Sequence, residues 1–289
     1  MSFFRYPGGK TKIKDVIAEQ LEKSATAGLG SVQYREPFFG GGSIGLHMVS
    51  LGVRDLWVND RDVGISCLWT SVISHHEQLK DMVRSFTPSV GSFCDMKAEL
   101  SAIDRVPEVI DGIVAVGFKK MAIHQTSYSG LGTMSGGPLG GMSQASEYKI
   151  GCRWNPKSIC SKIDKIHHVL SGVKVRNESC SVHDFETLVL EGGSDVLLYI
   201  DPPYYIKGNE LYQCGMTSFD HLRLSKMLRK TSHRWVLSYD DCREIRDIYS
   251  WACVREIDVN YSINANKDKD SGKRLSNRKG ELIISNCEA

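Results

Sequence analysis

Two spacings of hydrophobic residues alternate along this chain. Ile13, Val16, Ile17 and Leu21 recur at helical intervals and predict an amphipathic helix from about Ile13 to Lys23. Val196-Leu197-Leu198-Tyr199-Ile200 is instead apolar at every position, the pattern of a parallel strand covered on both faces. Further short strands are expected over residues 33–38, 55–60, 174–179, 235–238, 253–259 and 281–285, and helices over 44–51, 159–170 and 220–229. The N-terminal run Arg5-Tyr6-Pro7-Gly8-Gly9-Lys10 reads as a turn.

From about Asp62 to Pro156 the character changes. Helical patterns run to about Lys120 and are followed by a polar, glycine-rich segment from His124 to Tyr148, which cannot pack as a regular core element. The expected fold class is therefore α/β, an open and mostly parallel Rossmann-like sheet built from residues 1–62 and 159–289, with a mostly helical insertion over 63–158 after the second strand.

Composition fits an ordinary soluble protein: 289 residues, 41% hydrophobic and 24% charged. The net charge of +2 does not by itself announce a polyanion partner. The nine cysteines are never closer than eight positions, so no Cys-x-x-Cys metal or redox pair exists, and they read as buried thiols of a reducing compartment. No apolar stretch approaches the ~20 residues of a membrane span, and a cytoplasmic location is expected, in a bacterium or for a phage protein in its host.

Two segments carry candidate chemistry. The first strand breaks into Phe38-Phe39-Gly40-Gly41-Gly42-Ser43, and the second ends on Asp60. A parallel strand feeding a glycine turn lets backbone approach a ligand, while an acid at the end of the next strand can accept hydrogen bonds from a ribose. NAD, FAD and S-adenosylmethionine all suit such a site. The glycines lack the G-x-G-x-x-G spacing and no Lys-Ser/Thr follows, which disfavours a pyrophosphate ligand; a plain connecting turn is the bland alternative.

The second segment, Asp201-Pro202-Pro203-Tyr204-Tyr205, leaves the carboxyl end of the all-apolar strand, where open α/β sheets bind their ligands. Two prolines stiffen the turn and remove backbone donors. An acid and a proline carbonyl together accept both hydrogens of an exocyclic amine, and a tyrosine face stacks on a flat base.

The set Tyr-Pro-Gly-Gly-Lys at 6–10, Glu-Pro-Phe-Phe-Gly-Gly-Gly-Ser at 36–43, Val-Asn-Asp at 58–60 and Asp-Pro-Pro-Tyr at 201–204, in this order, resembles the Dam-like, D12 class (alpha group) DNA adenine-N6 methyltransferases. His183-Asp184-Phe185, Phe219 with Leu222, Ser238-Tyr239-Asp240-Asp241 and the closing Arg278-Lys279-Gly280-Glu281-Leu282 agree with it. The resemblance implies transfer of a methyl group from S-adenosyl-L-methionine to adenine N6 of a flipped-out base in double-stranded DNA, leaving S-adenosyl-L-homocysteine, with no metal and no membrane partner, by a monomer or weak dimer. It places Asp201, Pro202, Pro203 and Tyr204 at the reaction. By the same resemblance Tyr6, Lys10, Phe38, Gly40, Gly42, Ser43, Asp60, Asp184 and Phe185, together with Asp201, hold the cofactor.

For DNA, two basic clusters stand out: Arg5, Lys10, Lys12 and Lys14 with no acid among the first fourteen residues, and Lys267, Lys269, Lys273, Arg274, Arg278 and Lys279 against two acids between Ser262 and Gly280. The family places the second cluster against DNA, and Arg5, Lys267, Lys273, Arg274 and Arg278 are the expected phosphate contacts. Tyr128-Ser129-Gly130-Leu131 falls where GATC-methylating relatives insert a Tyr-Asn-Gly-Leu segment into the duplex. Ser129 replaces the Asn and Thr133 stands about where those relatives keep a base-reading Arg, so a target other than GATC, or a looser one, is expected. Competing readings are methylation of RNA adenine or cytosine N4, and a catalytically silent nucleic-acid-binding module. An NAD-dependent oxidoreductase fails on the glycine spacing.

Overall fold

The computed structural model describes residues 9–25, 28–178, 185–193, 195–206, 208, 213–260 and 278–286, with side chains at 178, 258–260, 278 and 279 set aside. Ten α-helices occur among these residues: α1 Lys14–Ser24, α2 Ser43–Leu51, α3 Val63–Ser74, α4 His76–Ser85, α5 Val90–Ala102, α6 Ile110–Thr126, α7 Pro156–Leu170, α8 Phe185–Leu190, α9 Ser218–Lys230 and α10 Arg243–Ile248. Seven strands form one sheet: β1 Gln33–Glu36, β2 Asp55–Asn59, β3 Lys174–Glu178, β4 Val196–Ile200, β5 Arg234–Asp240, β6 Cys253–Asn260 and β7 Arg278–Ser285.

The strand order is β3-β2-β1-β4-β5-β7-β6. The five strands from β3 to β5 pair in parallel, and β7 lies antiparallel between β5 and β6. The order reverses between β1 and β4, so the chain leaves these neighbours in opposite lateral directions and opens a crevice beyond their carboxyl ends. Both the glycine loop and the Asp-Pro-Pro-Tyr turn start there.

The all-apolar β4 does what its sequence requires. Leu197 and Tyr199 join a core on one face with Val58, Ile17 and Ile163, while Leu198 and Ile200 join a core on the other with Phe185, Leu224 and Leu237. The first core does not stop at the sheet. It continues through Leu68 and Val72 of α3, Leu79 of α4, Met96 of α5 and Phe118 and Met121 of α6, so the segment between β2 and β3 shares one apolar interior with the sheet. Helix α6 lies hard against α3 because Gly117 has no side chain; a Cβ there would stand 2.8 Å from the Cys67 carbonyl and the Leu68 backbone.

Two expectations need correcting. The helical part of the insertion extends to Thr126 rather than Lys120, since Met121, Ala122 and Ile123 keep the buried face of α6 going. Among the described residues the cysteines are free but not uniformly buried: Cys67, Cys160 and Cys242 are buried, Cys214 is half-buried, and Cys94, Cys152 and Cys253 are exposed. Among the described residues no helix is long and apolar enough to cross a membrane.

Candidate active site

The glycine loop and Asp60 form one hydrogen-bonded unit. Gly40 and Gly42 adopt left-handed φ values of 46° and 65°, which bend the chain from β1 into α2. The Gly40 N–H donates to Asp60 Oδ2 at 2.7 Å, and the Asp62 N–H donates to Asp60 Oδ1 at 2.9 Å. Trp69 of α3 closes the unit from below, its indole N–H donating 2.9 Å to the Gly40 carbonyl and its ring packing on Phe39 at 4.7 Å. Each Asp60 oxygen thus keeps a lone pair for a ligand hydroxyl. Burial, reinforced by the like charge of Asp62, pushes the Asp60 carboxyl up to about 7, and the two N–H donors and Lys120 oppose that rise. Beside the loop, Phe38 and Phe185 bring their rings to 5.6 Å. Ser43 begins α2, directly after left-handed Gly42.

The Asp201 turn is organised by a buried lysine. Lys10 Nζ donates to Asp201 Oδ1 at 2.7 Å and lies 3.1 Å from Glu281 Oε1 of β7. Its ammonium also stands 4.9 Å from the centre of the Tyr204 ring, and the Tyr204 hydroxyl donates to Glu281 at 2.9 Å. Ser238 of β5 donates to the same Asp201 Oδ1 at 3.0 Å, and the Tyr199 hydroxyl lies 2.8 Å behind Ser238 Oγ. Both contacts to Asp201 therefore fall on Oδ1, which fixes the carboxylate by that oxygen. Burial opposes the Lys10 charge, but Asp201, Tyr204 and Glu281 outweigh it and hold its pKa well above the ordinary value. Burial raises the Asp201 carboxyl, against the pull of Lys10. Pro202 and Pro203 are buried, and Tyr205 is held by its N–H to Asp240 at 3.1 Å and by its ring against His221 at 5.0 Å.

The structure thus brings together Phe38, Gly40, Gly42, Ser43 and Asp60 where β1 and β2 end, with Phe185 buried against Phe38, and gathers Lys10, Asp201, Pro202, Pro203 and Tyr204 where the neighbouring β4 ends. Sequence reasoning gave Glu281 and Ser238 no role. The signal for Glu281 was an acid opening the apolar run Leu282-Ile283-Ile284, an acid that must find a buried partner.

At the insertion, Tyr128 projects with 75% of its surface exposed and Ser129 is exposed beside it. The turn beneath them is rigidly built: the Tyr128 N–H donates to the Gly137 carbonyl, His124 Nδ1 lies 2.9 Å from the Gly130 carbonyl, and Gly130 and Gly132 take left-handed φ. Thr133 differs from its expected role as a DNA contact. It is buried and donates its hydroxyl to Gln213 at 2.7 Å, so it faces the chain that follows the Asp-Pro-Pro-Tyr turn rather than solvent. Arg5, Tyr6, Asp184, Lys267, Lys273, Arg274 and the Arg278 side chain lie outside the described residues.

Comparison with known proteins places this geometry in context. Among curated proteins none matches the chain. A solved structure from Pyrococcus horikoshii, PH1948, assigned provisionally as an RNA methyltransferase, aligns over 98% of this chain and 84% of its own at 10% identity, with a TM-score of 0.38. The sequence profile of the D12 class N6 adenine-specific DNA methyltransferases matches residues 6–263, a span that holds the glycine loop, Asp60 and the Asp-Pro-Pro-Tyr turn. With nearly the whole chain inside that match, and its motifs gathered at one crevice of a Rossmann-like sheet, the protein belongs to the D12 class N6 adenine-specific DNA methyltransferase family.

Proposed function

We propose that the protein methylates N6 of an adenine flipped out of double-stranded DNA, with S-adenosyl-L-methionine as donor, and that residues 63–158 choose the target. The observation that carries this reading is Asp201 at the switch point, fixed through Oδ1 by Lys10 and Ser238, at the end of the strand that pairs with the one leading into the glycine loop.

The residues fit the cofactor. Asp60 retains acceptor capacity for ribose hydroxyls, left-handed Gly40 and Gly42 keep the loop backbone open to close approach, and half-buried Phe38, backed by the buried Phe185, offers an apolar wall suited to an adenine ring. When bound, S-adenosylmethionine supplies an electrophilic methyl on a sulfonium, and S-adenosylhomocysteine remains after transfer. The protein's task is positioning and electrostatics.

Asp201 Oδ2 and the Pro202 carbonyl accept the two N6 hydrogens, which aims the N6 lone pair at the methyl carbon. With S-adenosylmethionine bound, the N–C bond would form as the C–S bond breaks, and Asp201 would stabilise the positive charge developing on N6. Lys10 does not cancel this effect, because its ammonium is shared between Asp201 and Glu281. The surplus N6 proton leaves to water by way of Asp201. Tyr204 stacks on the base, its ring held by Glu281.

Tyr128 is suited to fill the gap left by the flipped base, an exposed ring on a hydrogen-bonded turn. With Thr133 turned inward and no Arg at that position, bidentate guanine readout is not available from it, which supports a target other than GATC, or a looser one. Lys267, Lys273, Arg274 and Arg278, with Arg5, supply phosphate contacts. The test is to expose unmethylated plasmid DNA to the protein and S-adenosylmethionine and to map modified bases by sequencing. N6-methyladenine within one recurring non-GATC sequence supports the reading; unmodified DNA contradicts it.

A further inference from the structure

Helix α6 of the insertion sends a buried lysine into the cofactor end of the crevice. Lys120 is 3% exposed and forms an ion pair with Asp62, itself buried, two residues beyond Asp60. The approach is specifically built. The Lys120 stem lies over Gly64, where a Cβ would stand 2.8 Å from its Cδ, and Gly117 on the same helix permits the close contact with α3. Asp62 has two further ties: its Oδ1 caps α3 by accepting the Ile65 N–H at 3.2 Å, and its own N–H donates to Asp60.

We propose that Lys120 is a positioning residue for Asp60, acting through Asp62: it neutralises the second acid so that Asp60 remains charged and correctly turned toward the ribose. This rests on the reading of Asp60 as the cofactor acid. Without Lys120, two carboxylates would share a buried turn, and one of them would take up a proton. A protonated Asp60 would have an O–H where the Gly40 N–H or a ribose hydroxyl now needs an acceptor. Asp60 already sits near the balance point, raised to about 7, with Lys120 among the influences holding it down. Among the described residues, the other charged or titratable groups that interact with this pair or with Asp60 are Glu36 of β1, Arg61 of the same turn, Cys67 of α3, His124 of α6 and Cys214 after the Asp201 turn.

The same helix continues to the DNA-facing turn. His124 lies one helical turn beyond Lys120 and its imidazole holds the Gly130 carbonyl beneath Tyr128. Lys120 thus stands between the target-choosing segment and the cofactor acid.

The experiment measures binding of S-adenosylmethionine by calorimetry from pH 5.5 to 9 for the wild type, Lys120→Met and Asp62→Asn, with thermal melts to establish folding. The expected result is that affinity of the wild type falls as pH drops through the Asp60 range. The midpoint moves up in Lys120→Met; each pH unit it moves weakens binding at pH 7 roughly tenfold, and the loss recovers near pH 9. In Asp62→Asn, which keeps the helix cap, the midpoint moves down, and this variant decides the matter alone should Lys120→Met not fold. Midpoints unchanged in the folded variants, or a loss equal at every pH, overturn the proposal. A wild type that binds no S-adenosylmethionine overturns the cofactor reading and the proposal with it, an outcome distinct from normal binding with unmoved midpoints.

Discussion

Lys10 and Asp201 are 191 residues apart in the sequence, and the lysine Nζ lies 2.7 Å from the aspartate Oδ1. The pair joins the segment before the sheet to the strand end at its centre, and Glu281 from the far side shares the same ammonium. Lys10 is 1% exposed and Glu281 2%, so removing the charge between the acids leaves them buried without compensation. Lys10→Met is expected to lower stability by about 3 kcal/mol, and to slow single-turnover methyl transfer by roughly a hundredfold or more because Asp201 loses its orientation. Urea denaturation and rapid-quench kinetics check both parts. Lys10→Arg should not restore the rate, since a guanidinium fork does not fit a site built for one ammonium.

Gly42→Ala tests the cofactor loop. A Cβ there would stand 2.5 Å from Trp69 Cζ2, at a φ of 65° that L side chains rarely adopt. The expected result is at least about tenfold weaker binding of S-adenosylmethionine, with a loss of roughly 1–3 kcal/mol in stability. Gly136→Ala, where a Cβ meets nothing within 4 Å, is the control and should bind normally. Calorimetry on both variants decides.

His221 gives a pH prediction of definite sign. Burial pushes its imidazole down to about 4 from 6.5, so the folded protein holds it neutral while the unfolded chain protonates it below 6.5. Its contribution to stability is complete above pH 6.5 and is lost as pH falls toward 4, at about 1.4 kcal/mol per pH unit, or about 2 kcal/mol by pH 5. His221→Gln, which can still pair with the Tyr239 hydroxyl now 2.6 Å from Nδ1, should lose correspondingly less stability than the wild type between pH 7 and pH 5 in urea titrations. An equal loss in both proteins would assign the acid sensitivity elsewhere.

Much of this site was legible in the sequence because its signals are local. The run Val196–Ile200 declares a strand covered twice, the turn after it carries its own chemistry, and Phe38–Ser43 can only be a bend. What escaped depends on register between distant segments. Glu281 reaches Lys10 only because β7 folds back between β5 and β6, and Ser238 reaches Asp201 only because β5 pairs with β4. Lys120 looked like one charge among many, and the partner that gives it meaning lies on a different element 58 residues away. Thr133 stands in sequence about where relatives read DNA, yet Gln213 supplies a nearer partner and turns it inward. Cys94, Cys152 and Cys253 are exposed, a placement that the spacing of cysteines along the chain does not encode.

Tyr128 separates folding from function. At 75% exposure its side chain contributes little to the core, and Tyr128→Ala should change stability by less than about 0.5 kcal/mol. Methyl transfer to a fully paired duplex should drop, and should recover in part when the target adenine stands opposite a mismatch that lowers the cost of unpairing. Equal losses on both duplexes would remove Tyr128 from base flipping.

Transfer of a methyl group onto adenine N6 of DNA is the chemistry proposed for this crevice. Its most direct test is incubation of the protein with methyl-labelled S-adenosylmethionine and either duplex DNA or RNA, followed by digestion to nucleosides and separation, with Asp201→Ala alongside. Label in N6-methyldeoxyadenosine from DNA, lost in Asp201→Ala while DNA binding persists, is the predicted result. Label in N4-methyldeoxycytidine or in RNA alone, or transfer undiminished in Asp201→Ala, would contradict it.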